Sequence, residues 1–287
     1  MGFKCGLVGM PNVGKSSIFN LLTKQKIAAD NYPFCTIDPN ISYVEVPDSR
    51  LDCLAKVNKS ESKINASIEF VDIAGLIKGA SKGEGLGNEF LSHINSTDVI
   101  AHVVRFFRDD DILHVKDNYS PFEDFQDINL ELILADLNTL TKYLERLKKS
   151  KIDIKEKNIL ISQLEDLTNH LSNDNFASTF NFSDELSGLN DLKLLTKKPM
   201  FVIANINDQT HKQEIEDFQK EIPTTMHLVT IDVKLEQEIL ELDTDDQEAF
   251  MKDMGLEESA LSRIIRKGYK LLDLKTFFTS GPKETRA

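Results

Sequence analysis

Two glycines bracket a short loop that ends in lysine and serine: Gly9-Met10-Pro11-Asn12-Val13-Gly14-Lys15-Ser16. Glycine at both ends lets the backbone wrap a phosphate chain with its N–H groups. Lysine adds a positive charge at the β- and γ-phosphates, and the serine hydroxyl suits Mg²⁺. Asn12, Val13, Gly14, Lys15, Ser16 and Ser17 are therefore candidate nucleotide-binding residues, and Lys15 is also a candidate catalytic residue. Apolar residues 3–8 precede the loop. In residues 15–24, Ile18, Leu21 and Leu22 fall on one helical face. Strand, glycine loop and helix in that order give the match its meaning.

Asp72-Ile73-Ala74-Gly75 closes an apolar run and is a second phosphate-site signal. An Asp there holds the Mg²⁺ shell from the other side, usually through water. Gly75 can bring its N–H to the γ-phosphate because no side chain obstructs it. Thr36, between these two motifs, is the expected switch ligand for Mg²⁺ and γ-phosphate. The metal set is thus Ser16, Thr36 and Asp72. Asn205-Ile206-Asn207-Asp208 follows another apolar run, where a guanine reader carries Asn-Lys-x-Asp. Asp208 suits the guanine N1–H and 2-amino group, whereas Ile206 departs from the guanine pattern, so the motif leaves the base open. Asn205, Ile206, Asp208 and Val233 are the candidate base-side residues.

The elements that must carry these residues alternate strand-like and helical patterns. Residues 3–8, 66–71, 99–104, 200–204 and 227–231 read as buried strands of a mainly parallel sheet. Leu130, Ile133, Leu137, Leu140, Leu144 and Leu147 alternate spacings of three and four, as do Leu160, Leu164, Leu167 and Leu171. Two such helices with a charged turn between them predict an antiparallel coiled-coil hairpin, inserted because strand signals resume afterwards. The expected class is an α/β P-loop G domain, mainly parallel, with an inserted α-helical hairpin. Its parts are 1–127, hairpin 128–195, and 196–278. Residues 279–287 read as a linker with a hinge at Gly281-Pro282. Residues 173–191 read as loop, Asp243–Gln247 as an acidic turn, and 256–273 as a final helix.

The composition, 40% hydrophobic and 28% charged, fits a globular chain with a sizeable core. A net charge of -13 argues against broad binding to DNA or anionic membrane, while leaving room for a local basic patch that meets RNA. Three cysteines without metal spacing fit a reduced chain. No apolar run approaches a bilayer span, and no signal peptide is evident, so the expected compartment is the cytoplasm.

The run Asp72–Ile94 (DIAGLIKGASKGEGLGNEFLSHI), with GMPNVGKSS and NYPFCTIDPN, closely resembles the YchF-type Obg-like ATPases. The resemblance covers almost the whole chain. It implies a G domain carrying a helical hairpin and Mg²⁺-dependent hydrolysis, with ATP often preferred over GTP. It also implies a ribosomal RNA or protein partner. Leu76 stands where Ras-like proteins carry a catalytic glutamine, and it cannot orient water. The family's substitute is a loop histidine, which His114 matches as a catalytic candidate beside Lys15 and Gly75. Asn12 stands where K⁺-activated relatives carry asparagine, which makes K⁺ a second candidate cation. Asp208 departs from the family's Glu. The chain's end resembles the lead-in to a TGS domain, so weakened ribosome engagement is expected. A GTP-specific enzyme and a nucleotide-controlled binding module with incidental hydrolysis are the alternative readings.

Overall fold

The computed structural model describes residues 2–24, 40–73, 86–109, 112, 119–182, 192–256 and 258–287. The strands are β1 (Lys4–Val8), β2 (Ile41–Glu45), β3 (Ser62–Ile64), β4 (Ser67–Asp72), β5 (Val99–Arg105), β6 (Met200–Asn205), β7 (His227–Ile231), β8 (Thr279–Ser280) and β9 (Glu284–Arg286). The helices are α1 (Lys15–Lys24), α2 (Ser49–Asn58), α3 (Leu86–Asn95), α4 (Pro121–Lys149), α5 (Ile154–Ser172), α6 (Lys212–Glu221), α7 (Val233–Glu241), α8 (Thr244–Asp253) and α9 (Ala260–Leu271).

Six strands form the main sheet in the order β2-β4-β1-β5-β6-β7. β1, β4, β5, β6 and β7 run parallel, and β2 pairs antiparallel with β4. Both faces of the central strands are covered, so they read as continuous apolar runs; every residue of β5 and β6 is buried. α1 packs on β2 and β4, α4 on β5, and α9 on β6 and β7. Ile18, Leu21 and Leu22 are fully buried on α1. Each contributes roughly 1.5–3 kcal/mol of burial, which fixes the helix that starts at Lys15.

Several expectations change. The first hairpin helix starts at Pro121, ahead of residue 128. Proline at N1 supplies a preset φ, and the Ser120 hydroxyl accepts from the Glu123 N–H at 3.3 Å. Phe125 and Ile128 are buried, so the root of α4 belongs to the core of the nucleotide domain. Leu130 is 44% exposed and lies off the seam; the buried members are Ile133, Leu140 and Leu147, facing Leu164, Leu167 and Leu171. α4 and α5 pack together across a short connection, as an αα-hairpin.

Asp243 occupies the N-cap position of α8 without a side-chain capping bond, so the acidic stretch is a helix start instead of a turn. Acidic residues suit that end of the macrodipole. Within 173–191, a 3₁₀ turn at Ala177–Thr179 buries Ala177; residues 183–191 lie outside the described residues. The last helix is shorter than 256–273.

Gly281-Pro282 is not a free hinge. It forms the turn between β8 and β9, and β9 pairs parallel with β3. Glu61 N–H donates to the Pro282 carbonyl at 2.9 Å, and the Ser60 hydroxyl donates to the Gly281 carbonyl at 2.7 Å. Thr285 is fully buried in this small sheet.

Candidate functional site

The phosphate loop is shaped by backbone that few residues accept. Asn12 has φ 61° and Gly14 φ 98°. At Gly14 a side chain is also excluded by space, since a Cβ would sit 2.3 Å from the Asn205 amide nitrogen. That nitrogen donates to the Val13 carbonyl at 3.0 Å. Asn205 therefore ties the end of β6 to the phosphate loop, and glycine at position 14 is what lets the two come so close.

Lys15 opens α1 but folds back over the loop. Its ammonium donates to the Met10 carbonyl at 2.8 Å and the Gly9 carbonyl at 3.2 Å. Only 6% of the residue is exposed. Burial lowers its pKa to about 8, and the Asp72 carboxylate opposes that shift. The Ser16 hydroxyl donates to Asp72 Oδ2 at 3.1 Å. Asp72 Oδ1 is buried and accepts no hydrogen bond among the described residues. A buried carboxylate oxygen without a donor is costly unless something positive meets it. An oxygen pair from Ser16 and Asp72 is also the hard donor set that Mg²⁺ selects, so these residues fit that ion.

Beside the loop lies a cavity of about 500 Å³. Asn12, Gly14, Lys15, Ser16 and Ser17 form one end. Ile206, Val233, Phe107 and Ile112 give the other end apolar walls, with Asn205 and Asn207 between. Val13 itself is fully buried behind the loop. Of the sequence-predicted residues, Asn12, Gly14, Lys15, Ser16, Ser17, Asn205, Ile206 and Val233 converge on this cavity, with one correction. Asp208 is exposed and does not line the cavity, and Asn207 lines it instead. The cause is a local turn: the Asn207 side-chain oxygen accepts from the Gln209 N–H and the Thr210 hydroxyl, which leaves Asp208 on the outer corner. Two acids do line the cavity, and both are engaged. Asp232 caps α7 through the Lys234 and Leu235 N–H groups, and Asp109 pairs with Lys234 at 3.6 Å.

Phe107, Asp109 and Ile112 were missed by sequence reading. They sit on the connection after β5, and Arg105 pins it. Arg105 is 4% exposed, and its guanidinium donates to the carbonyls of Phe107, Asp109 and Ile112 at 3.0–3.1 Å and lies over the Phe107 ring at 4.4 Å. The one signal available in the sequence was a charged residue, Arg105, closing the apolar run 99–104. Thr36, Gly75, Leu76 and His114 lie outside the described residues.

Comparison with known proteins agrees with this geometry. Residues 4–163 match the family described as 50S ribosome-binding GTPase. The ribosome-binding ATPase YchF of Pasteurella multocida is 48% identical over all of this chain and 80% of its own length. The Bacillus subtilis protein of the same name is 41% identical over all of this chain and 81% of its own length. The structure of the Schizosaccharomyces pombe YchF GTPase superposes with a TM-score of 0.85 at 35% identity, covering 99% of this chain and 79% of that one. With the phosphate loop, the strand-ending aspartate and the sheet order all in place, the chain belongs to the YchF family.

Proposed function

We propose that the chain hydrolyses nucleoside triphosphate to diphosphate and phosphate, with ATP accepted at least as well as GTP, and acts as a nucleotide-controlled switch on the ribosome. The observation that supports it most is the pairing of Ser16 with Asp72 beside the buried Lys15 ammonium, at one end of a nucleotide-sized cavity. Lys15 and the loop N–H groups would stabilise charge that develops on the transferred phosphoryl group. Ser16, Thr36 and Asp72 would hold Mg²⁺, which when bound neutralises charge on the β- and γ-phosphate oxygens. Gly75 would present its N–H to the γ-phosphate. Asn12 is retained as a K⁺ candidate. The ribosomal partner rests on the names of the relatives.

The base preference rests on Asp208. Guanine discrimination needs a carboxylate against N1–H and the 2-amino group, and Asp208 faces away from the cavity. The apolar walls from Ile206, Val233 and Phe107 accept either purine. Calorimetric titration in Mg²⁺ should therefore show ATP binding no weaker than GTP. GTP tighter by more than about tenfold, roughly 1.4 kcal/mol, would reject the ATPase reading.

His114 is proposed to orient the attacking water, since Leu76 has no group able to do so. His114→Ala should leave ATP affinity nearly unchanged and slow single-turnover hydrolysis on the order of 10²-fold, the mark of a transition-state interaction. Unchanged turnover would remove His114 from the mechanism.

A further inference from the structure

α9 concentrates positive charge in an acidic protein. Arg263, Arg266, Lys267 and Lys270 all line one groove of about 390 Å³ between this helix and β7, the edge strand of the main sheet. Positions i, i+3, i+4 and i+7 share one helix face, so the four cations form a stripe about 10 Å long. Among the described residues, no carboxylate lines the groove.

The cations are held by different means. The Arg263 guanidinium donates to the Thr230 carbonyl of β7 at 3.0 Å, and its Nε is buried with no acceptor among the described residues. Arg266 pairs with Glu258, which lies outside the groove lining. Neither Lys267 nor Lys270 makes an ion pair with a described carboxylate. Burial first, and then Lys270, lowers the pKa of Lys267. The same two lysines add to burial in lowering that of His227 on β7. A chain with a net charge of -13 keeps these like charges together.

We propose that the groove between α9 and β7 is a binding surface for the phosphodiester backbone of RNA. Its length spans about three steps of 3.4 Å along a strand, which brings four successive phosphates over the four cations. An acidic protein partner fits less well. Protein interfaces depend on aromatic or apolar anchors at their centre, and among the described residues no aromatic lines this groove; Ile215, Leu228 and Val229 are its apolar members. Sequence-independent backbone contact needs cations and little else. The proposal rests on the ribosome-binding reading above, because ribosomal RNA is the polyanion the groove would meet. It places that contact away from the nucleotide cavity, with which it shares no lining residue.

The test uses the 287-residue chain, K267E/K270E, and K148E/K149E near the turn of the hairpin as a comparison. Each is titrated with a fluorescent short RNA duplex at several salt concentrations and co-sedimented with ribosomes. Unchanged ATP affinity certifies that the variants fold. Four neutralised phosphates predict an affinity loss on the order of a hundredfold between about 50 and 200 mM salt. K267E/K270E should bind the duplex at least tenfold more weakly, with a salt slope lower by about two, and should co-sediment less; K148E/K149E should match the parent.

Duplex affinity and slope unchanged in K267E/K270E would overturn the proposal. So would tighter binding of polyglutamate than of the duplex, which would mark an acidic-protein surface, or loss confined to K148E/K149E. Full co-sedimentation of K267E/K270E despite lost duplex binding would also overturn it, leaving ribosome binding intact through another surface. If the parent binds duplex but no chain co-sediments, the ribosome reading fails and the groove remains an RNA site.

Discussion

Lys15→Met should weaken ATP binding on the order of a hundredfold and, in the same protein, stabilise the nucleotide-free fold at neutral pH. The first effect follows from losing a charge-assisted contact worth up to about 3 kcal/mol. The second follows from the pKa. Lys15 falls from 10.5 to about 8 mainly because its ammonium is buried. Between those values the folded chain binds fewer protons than the unfolded chain, so stability rises as pH climbs through that window. Below pH 8 the full cost of the buried charge is present, about 3 kcal/mol by the size of the shift. Methionine keeps the aliphatic length without the charge. It forfeits the hydrogen bonds to the Gly9 and Met10 carbonyls, so the net gain is smaller, of order 1 kcal/mol. Thermal unfolding from pH 7 to 10.5 provides the check. The advantage of the variant should shrink as pH rises and reverse sign near the top of the range, where the cost of the buried charge is gone but the two hydrogen bonds are still missing. A variant that is less stable throughout, with a parallel pH profile, would show that Lys15 is not strained in the free state. The phosphate loop would then hold a cation at no cost until nucleotide arrives. ATP, by contrast, should draw protons from solution on binding at pH 8, because its phosphates restore the lysine charge.

How much of this was legible in the sequence depended on whether the signal was local. The phosphate loop, Asp72 and α1 were readable because their chemistry and their periodicity lie within a few consecutive residues. β1, β5 and β6 were readable because burial on both faces makes their runs mostly apolar, and β4 and β7 because apolar and β-branched residues still predominate in them. β2 was not. Ile41–Glu45 lies at the sheet edge and buries only alternate residues, Ser42 and Val44, one of them polar. β3, β8 and β9 have two or three residues each, too short to show a period, and β3 and β9 are defined by pairing with each other across most of the chain. Asp208 was misplaced for a related reason. Its motif position suggested a base contact, but the Asn207 side chain builds the turn that aims it outward. Arg105 was missed because its three acceptors are carbonyls, which carry no sequence identity at all.

A second large effect is expected far from the phosphates, at Asp136. This residue is 1% exposed on α4, in the stretch where the helix leaves the sheet for the hairpin. Its carboxylate accepts from the Leu195 N–H at 2.7 Å, the Thr196 N–H at 2.8 Å and the Thr196 hydroxyl at 2.6 Å. Thr196 in turn accepts from the Ala177 N–H at 3.1 Å, so one acid joins α4 to both ends of the segment returning from α5. Two residues on, the Lys198 ammonium donates to the Ile94 and Asn95 carbonyls at 2.9 Å, and also to that of Thr97, closing the C-terminal end of α3. α3 is the helix that follows Asp72 and Gly75 in the chain, so the root of the hairpin and the segment after the γ-phosphate motif share an anchor. Burial raises the Asp136 pKa against the pull of its three donors, so the carboxylate is held at some cost. Asp136→Ala would recover that cost but leave three buried donors unsatisfied, at roughly 1–3 kcal/mol each. The expected net loss is about 3–5 kcal/mol, as for other broken buried networks. Thr196→Val, which removes one hydroxyl and keeps the shape, should lose only about 1–2 kcal/mol. Denaturant unfolding measures both, and amide exchange locates the effect. Exchange should accelerate along α4, α5 and residues 194–198 well before α1 and β1. ATP affinity measured below the unfolding transition should hold, because no atom of this anchor reaches the cavity. If Asp136→Ala unfolds at the parental midpoint, water replaces the carboxylate, and the hairpin is held by its apolar root at Phe125, Ile128 and Leu132 alone. If Asp136→Ala and Thr196→Val lose the same amount, the hydroxyl is the anchor and the two N–H bonds are incidental.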